Sequence, residues 1–127
     1  APVNFKDLLG QTPLHHATTG GAPVIEALAR NDADIEATDN RDRTSLRKLI
    51  ILAAQGVPID REIDALINLG ADIDNQDGLG RTMLMSLAFG KPSSESVLAV
   101  EKLLQFGADV NKTDFRGVTA LTHYARA

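Results

Sequence analysis

The stretch Asp7–Ala17 reads DLLGQTPLHHA. Three later stretches repeat its plan: DNRDRTSLRKL from Asp39, DGLGRTMLMSLA from Asp77 and DFRGVTALTHYA from Asp114. Each opens on Asp, carries Thr five residues on, and runs into a short apolar segment. The Asp-to-Asp steps are 32, 38 and 37 residues. A second pattern sits upstream of each later Asp: NDADIEATD ending at Asp39, GADIDNQD ending at Asp77 and GADVNKTD ending at Asp114. Two patterns alternating in fixed order specify a repeat architecture far more sharply than one short motif.

The physics of a unit follows from its residues. Thr12, Thr44, Thr82 and Thr119 each precede a helical pattern and can cap its free backbone N–H groups. Pro13 follows Thr12 at the first helical position, where its missing N–H is no loss. Leu14, Leu46, Leu84 and Leu121 share one offset and are predicted core. A second helix is expected over Pro23–Arg30, Pro58–Leu69 and Ser94–Phe106, with Pro23 and Pro58 at helix starts. Gly70 and Gly107 are predicted left-handed caps, and Asn31 is expected in that role in the first unit. The polar segment from each Ala-Asp pair to the next Thr reads as a hairpin-like excursion.

The TPLHHA of Thr12–Ala17 and the GADVN of Gly107–Asn111 resemble the ankyrin repeat. The resemblance covers units 7–38, 39–76, 77–113 and a partial unit 114–127, with 1–6 resembling the end of a preceding unit. It implies an all-α solenoid of helix-turn-helix units joined by hairpin-like loops. It also implies that His15 ties adjacent loops together by hydrogen bonds. The second unit departs most: Asp42 stands for Gly, Ser45 for Pro and Arg47 for His. The extra length of the third unit falls on GKPSS, Gly90–Ser94. Both ends read as cut, since Val3-Asn4 resembles the close of another GADVN and the chain stops inside a first helix. Leu121 and Tyr124 are then expected to stand partly uncovered, because a repeat cannot bury its apolar face alone.

Composition narrows the function. The chain has 127 residues, 43% of them apolar and only 4% aromatic, enough for one domain with a core. Its longest apolar run, Leu49–Ala54, is far below the ~20 residues of a membrane span. With no cysteine, disulfides and thiolate metal sites are excluded. A net charge of −4 argues against general nucleic-acid binding. The start at Ala1 suggests an excised or processed piece, and no secretory signal is visible. A cytoplasmic setting is expected, which includes a host cytosol if the chain comes from a secreted effector.

No motif carries catalysis. His15 and His16 are neighbours and point about 100° apart on a helix, so one metal cannot easily take both. His123 is read as surface or capping. Asp72–Gly78 fails as a calcium loop, because its sixth position is Asp77 and its twelfth Met83. Gly78-Leu-Gly80 lacks the preceding strand and third glycine of a phosphate loop. Asn111-Lys112-Thr113 matches a glycosylation acceptor, but Asn111 already belongs to the repeat pattern. No cofactor and no enzyme activity are expected.

The resemblance implies that four tip positions per unit vary freely: one before the Asp, two after it and one before the Thr. Of these sixteen positions five are basic (Lys6, Arg41, Arg43, Arg81, Arg116) and none is acidic. The same strip carries Leu8, Leu9, Gln11, Asn40, Leu79, Phe115 and Val118. Exposed apolar residues beside Arg compose interface hot spots. The expected function is a protein-interaction module that binds through the hairpin tips and the concave face, monomeric within a longer chain. Its partner offers an acidic patch around apolar sockets. The other readings are the substrate-recruiting arm of a larger enzyme, such as a host-directed bacterial effector, and a structural spacer.

Overall fold

A computed structural model of the chain describes residues 3–18, 21–88 and 93–126, without the side chains of His123, Tyr124 and Arg126. The described residues form seven helices: α1 (Pro13–Ala17), α2 (Ala22–Arg30), α3 (Ser45–Ala54), α4 (Asp60–Asn68), α5 (Met83–Ala88), α6 (Ser94–Gln105) and α7 (Ala120–Arg126). The extended structure among them is one isolated bridge between Thr113 and Thr119. The fold is all-α, as the repeat pattern predicts.

Two compact units divide the chain: Ala1–Leu49 with Ile59–Asp72, and Ile50–Pro58 with Ile73–Ala127. In the first, α2 packs against α1 and α4. Leu14, Ile25, Leu46, Leu49, Ile63 and Leu66 are its fully buried large apolar residues. In the second, α5 packs against α6 and α7, and Ile50, Met83, Met85 and Leu103 are fully buried. Burying a Leu or Ile side chain contributes about 2 kcal/mol each, so these few positions supply most of each unit's driving force.

All four Thr caps are present. The hydroxyls of Thr12, Thr44, Thr82 and Thr119 accept from the amides of His15, Arg47, Met85 and Thr122. Three of the four predicted core leucines are buried, but Leu121 on α7 is 77% exposed. Pro58 does not start α4. The helix begins at Asp60 behind the cap residue Ile59, so Pro58 ends the connecting loop instead.

The second helices end alike. Gly70 and Gly107 have φ of 95° and 92°. Ala71 and Ala108 donate back to Leu66 and Leu103, six-to-one bonds that close the helix. In the first unit the left-handed residue is Asp32, at φ 68°, and not Asn31. Asn31 has a negative φ of −102°, and its side chain donates to the Ala27 carbonyl at 2.8 Å. The shared Ala-Asp pair aligns Asp32, not Asn31, with the two glycines, and Asp tolerates this region better than most residues.

A ladder of side chains links successive turns within each unit. Asn4 Oδ1 accepts from the Asp34 amide at 2.8 Å, and Glu36 Oε1 from the Asp72 amide at 3.0 Å. Asp74 Oδ1 accepts from the Asp109 amide at 2.8 Å. Asn4 thus plays the part of Glu36 and Asp74, as its likeness to the GADVN segment implies. Of the GKPSS stretch, Gly90, Lys91 and Pro92 lie outside the described residues. Ser93 caps α6, exchanging hydrogen bonds with Ser96.

The glycines separate two costs. A Cβ on Gly70 would meet nothing within 4 Å and would suffer only its φ of 95°. A Cβ on Gly10 would have φ 76° and would also lie 2.7 Å from the Asn40 amide nitrogen. Gly70→Ala is expected to cost about 1 kcal/mol and Gly10→Ala about 3 kcal/mol. Urea unfolding midpoints of the two variants check this, and equal losses would contradict it.

Candidate functional site

The tips are built on one device used four times. In the first, Asp7 Oδ1 accepts from the amides of Leu9 and Gln11, both at 2.9 Å. Asp39 does the same for Arg41 and Arg43, Asp77 for Leu79 and Arg81, and Asp114 for Arg116 and Val118. Backbone bonds close each loop, as from Gly10 to Asp7 and from Asp7 to Gln11. The fourth residue of each loop is left-handed: Gly10, Asp42, Gly80 and Gly117. Asp42 therefore does a glycine's work at φ 58°.

The tips are joined in pairs. In the first unit the Asn40 amide donates to the Leu9 carbonyl at 3.0 Å, and the Asn40 side chain to the Leu8 carbonyl at 2.9 Å. In the second unit the Phe115 amide donates to the Leu79 carbonyl at 3.1 Å. The Gln76 side chain bridges the carbonyls of Gly80 and Thr113 there. A Cβ on Gly80 would lie 2.7 Å from the Phe115 amide, so that close approach requires glycine.

The candidate residues divide by exposure. Leu8, Leu9, Leu79 and Phe115 stand out in solvent, Leu8 at 98% and Phe115 at 76%. Arg41, Arg116 and Asn40 are exposed, and Arg43, Arg81 and Val118 are half-buried. Gln11 is buried, and its side chain accepts from Lys48 Nζ at 3.4 Å. Gln11 is therefore part of the support beneath the tip. Leu8, Leu9 and Asn40–Arg43 belong to the first unit, and Leu79, Arg81 and Phe115–Val118 to the second.

His15 lies under the first pair of tips and is fully buried. Its Nδ1 accepts from the Thr12 amide at 3.1 Å, and its Nε2 donates to the Arg43 carbonyl at 2.8 Å. One ring thus ties the first loop to the second, as expected of it. His16 is exposed instead, with Nε2 2.8 Å from Asp7 Oδ2. The two rings serve different loops, and among the described residues no cluster of acidic, His or Cys groups could hold a metal ion. The side chain of His123 lies outside the described residues.

Met85 and Thr122 hold the place of His15 in the second unit, and Arg47 holds it in α3. Arg47 is 2% exposed, and so is the largest fully buried side chain. Ser45, beside it, buries a hydroxyl that has no partner among the described residues. The second unit also holds an apolar hollow of about 420 Å³, bordered by Val100, Leu104, Val110 and Leu121. No sequence signal pointed to it. Counted back from the shared Ala-Asp turn, Val100 on α6 stands where fully buried Ile25 stands on α2.

Comparison with known proteins agrees with the repeat. The family model described as Ankyrin repeat matches residues 9–40. The chain is 34% identical over 123 residues to human Neurogenic locus notch homolog protein 1, covering 95% of this chain and 4% of that protein. It is 38% identical over 119 residues to Ankyrin repeat and SOCS box protein 6 of Pongo abelii, covering 94% of this chain and 27% of the relative. The chain belongs to the ankyrin-repeat family. The human form of the second relative is 36% identical over the same 119 residues. This ankyrin-repeat chain thus spans about a quarter or less of these relatives. Ankyrin repeats are generally protein–protein interaction modules. Among the described residues no helix of this one is long and apolar enough to cross a membrane.

The buried groups set a pH response. Burial lowers the His15 pKa below 6.5, against the pull of the Arg43 carbonyl. The unfolded chain therefore takes up a proton first, and stability falls as pH drops below 6.5. Asp39 sits below 3.8, because its two turn amides and Arg43 outweigh the burial that opposes them. Asp7 is lowered first by the His16 hydrogen bond and then by the Gln11 amide. Their contribution is present above 3.8 and is lost as pH falls through the folded values. Urea midpoints are expected to decline in these two windows. His15→Gln is expected to flatten the first decline while lowering stability at every pH. An unchanged slope between pH 7.5 and 5.5 in that variant would contradict the assignment to His15.

Proposed function

We propose that the chain is a protein-interaction module that grips a partner by its exposed tips, and that the partner offers an acidic patch around apolar sockets. One observation carries this reading. Each unit presents a hydrogen-bonded pair of tips on which apolar side chains stand in solvent beside Arg. Leu8 and Leu9 lie beside Arg41 in the first pair, and Leu79 and Phe115 beside Arg116 in the second. Isolated exposed leucines are ordinary, but apolar residues clustered on pinned turns beside Arg are the composition of a hot spot. Oδ1 of each tip aspartate, Asp7, Asp39, Asp77 and Asp114, is turned onto its own loop amides. Asp39 Oδ2 pairs with the half-buried Arg43, and Arg41 and Arg116 are the exposed arginines of the tips.

The two residue types divide the labour. Arg makes bidentate bonds to carboxylates and steers association electrostatically, so it sets on-rate and partner choice. Phe115 and the leucines supply the apolar area whose burial slows dissociation. Because the turns are already ordered, little conformational entropy is lost on binding. The chain acts in this reading as a monomeric cytoplasmic module without catalysis of its own.

Replacing Arg41, Arg81 and Arg116 together by Glu tests the reading. Partner affinity is expected to fall by about tenfold or more, with its salt dependence much reduced. Phe115→Ala is expected to raise the dissociation rate with little change in association. Capture from cytosol at low and high salt, followed by titration of the captured protein, measures both. Unchanged affinity and salt dependence in the triple variant would show that the tips are not the site.

A further inference from the structure

The ladder of side chains that links successive turns has one unused rung. Counted from each Ala-Asp pair, Glu36, Asp74 and Asn111 hold the same place, two residues past the Asp. Glu36 and Asp74 each accept the amide of the next turn, from Asp72 at 3.0 Å and from Asp109 at 2.8 Å. Asn4 does the same for Asp34. The backbone N–H of Asn111 donates to Asp109 Oδ1, but its side chain has no partner among the described residues. Asn111 lines the apolar hollow of the second unit, with Leu84, Val100, Leu104, Val110 and Leu121.

The first unit shows what such a hollow takes. Leu14, Ile25 and Leu46 stand there at the repeat positions of Leu84, Val100 and Leu121, and all three are fully buried. α4 packs against α2, and its Ile63 and Leu66, one turn apart, are fully buried. The turn that ends α4 brings the Asp72 amide to the Glu36 rung. In the second unit, among the described residues, α6 packs against one helix, α5. Val100 is only half-buried there, and Leu104, Val110 and Leu121 are exposed. α6 also exposes Val97 and Leu98, where α2 has Ala22 and Pro23 and α4 has Asp60 and Arg61. The outer face of α6 is thus more apolar than its counterparts, which is the mark of a surface that meets a partner.

We propose that the α6–α7 edge of the second unit docks an amphipathic helix of a partner protein. The helix fills the hollow with two apolar side chains one turn apart, and the turn that ends it donates a backbone N–H to Asn111 Oδ1. This is helix-in-groove recognition with one polar contact that fixes the register. The hollow, of about 420 Å³, has the size of a binding site and walls already in place. A second copy of this chain is a poor occupant. Its turn amides of this kind, at Asp34, Asp72 and Asp109, already have acceptors. The site uses none of the variable tip positions and stands apart from the reading of the tips.

The probe is a peptide of residues 59–73, which carries α4 and its closing turn. The same peptide with Ile63→Asn and Leu66→Asn is the control. Each is titrated into residues 1–127 and into the protein at its natural length, while methyl signals are followed by NMR. A short helix is marginal alone, so binding is expected to be weak but saturable. Shifts are expected at Leu104, Val110 and Leu121 with the probe and not with the control, while Leu8 and Leu9 stay still. Leu121→Glu is expected to weaken binding by about tenfold or more. Asn111→Ala is expected to weaken it by about threefold and to remove the shift of the probe's labelled Asp72 amide. Asn111→Asp, which keeps the acceptor, is expected to hold affinity within about twofold. Urea midpoints check that these exposed substitutions leave the fold intact. Silent methyls, equal binding of the control, or an Asp72 amide indifferent to Asn111→Ala would overturn the proposal. So would binding by residues 1–127 and not at natural length, because a segment of the protein's own would then fill the hollow. Shifts of the same methyls with chain concentration alone would assign the site to a second copy and overturn it too. The triple tip variant is expected to bind the probe unchanged, and loss of binding there would move the probe to the tips.

Discussion

One carboxylate pinned to two backbone amides holds each tip of this chain. The Asp that opens every loop reaches the N–H groups two and four residues on, and does so four times with near-identical lengths of 2.9–3.0 Å. Those amides cannot find partners in a helix, because the next helix begins only after the Thr. Without the carboxylate they would need water, and the loop would lose its fixed shape. The neighbouring tip attaches to the outer carbonyl of that fixed loop, at Leu9 in the first unit and Leu79 in the second. The pin therefore comes before the pairing of tips, and the pairing comes before any surface they present.

The repeat was legible because the pinning Asp, the capping Thr and the closing Ala-Asp turn are single residues with single jobs. Each job requires a specific atom at a specific spacing, so the letters survive divergence of everything between them. Helix positions were readable to within two residues for the same reason. Misplaced details trace to positions where two residue types can serve. Asp32 takes the left-handed turn that Gly70 and Gly107 take elsewhere, and Asn31 drew attention only because Asn also favours that region. Pro58 suits either a helix start or the loop before it, and the Ile59 cap decides for the loop.

Side-chain depth was harder to read. Gln11 occupies a variable tip position yet is buried, because Lys48 reaches it from α3 across a gap of 37 residues in sequence. Nothing in a tip motif signals a partner that far away. Arg47 replaces a histidine in the pattern and remains fully buried, where a long cation in place of a small ring would have been expected to swing out. Leu121 shows the reverse. Its offset marks it as core, yet it stands in solvent.

The functional account needs the tips to be rigid platforms, and the exchange of their own amides tests that directly. In the intact chain the amides of Arg116 and Val118 are expected to be protected from hydrogen exchange, since Asp114 holds both. Asp114→Ala is expected to speed the exchange of these two amides by about tenfold or more, while those of Arg41 and Arg43 keep their protection. Unprotected amides at Arg116 and Val118 in the intact chain, or rates unchanged by the substitution, would contradict the claim that the carboxylate holds the tip.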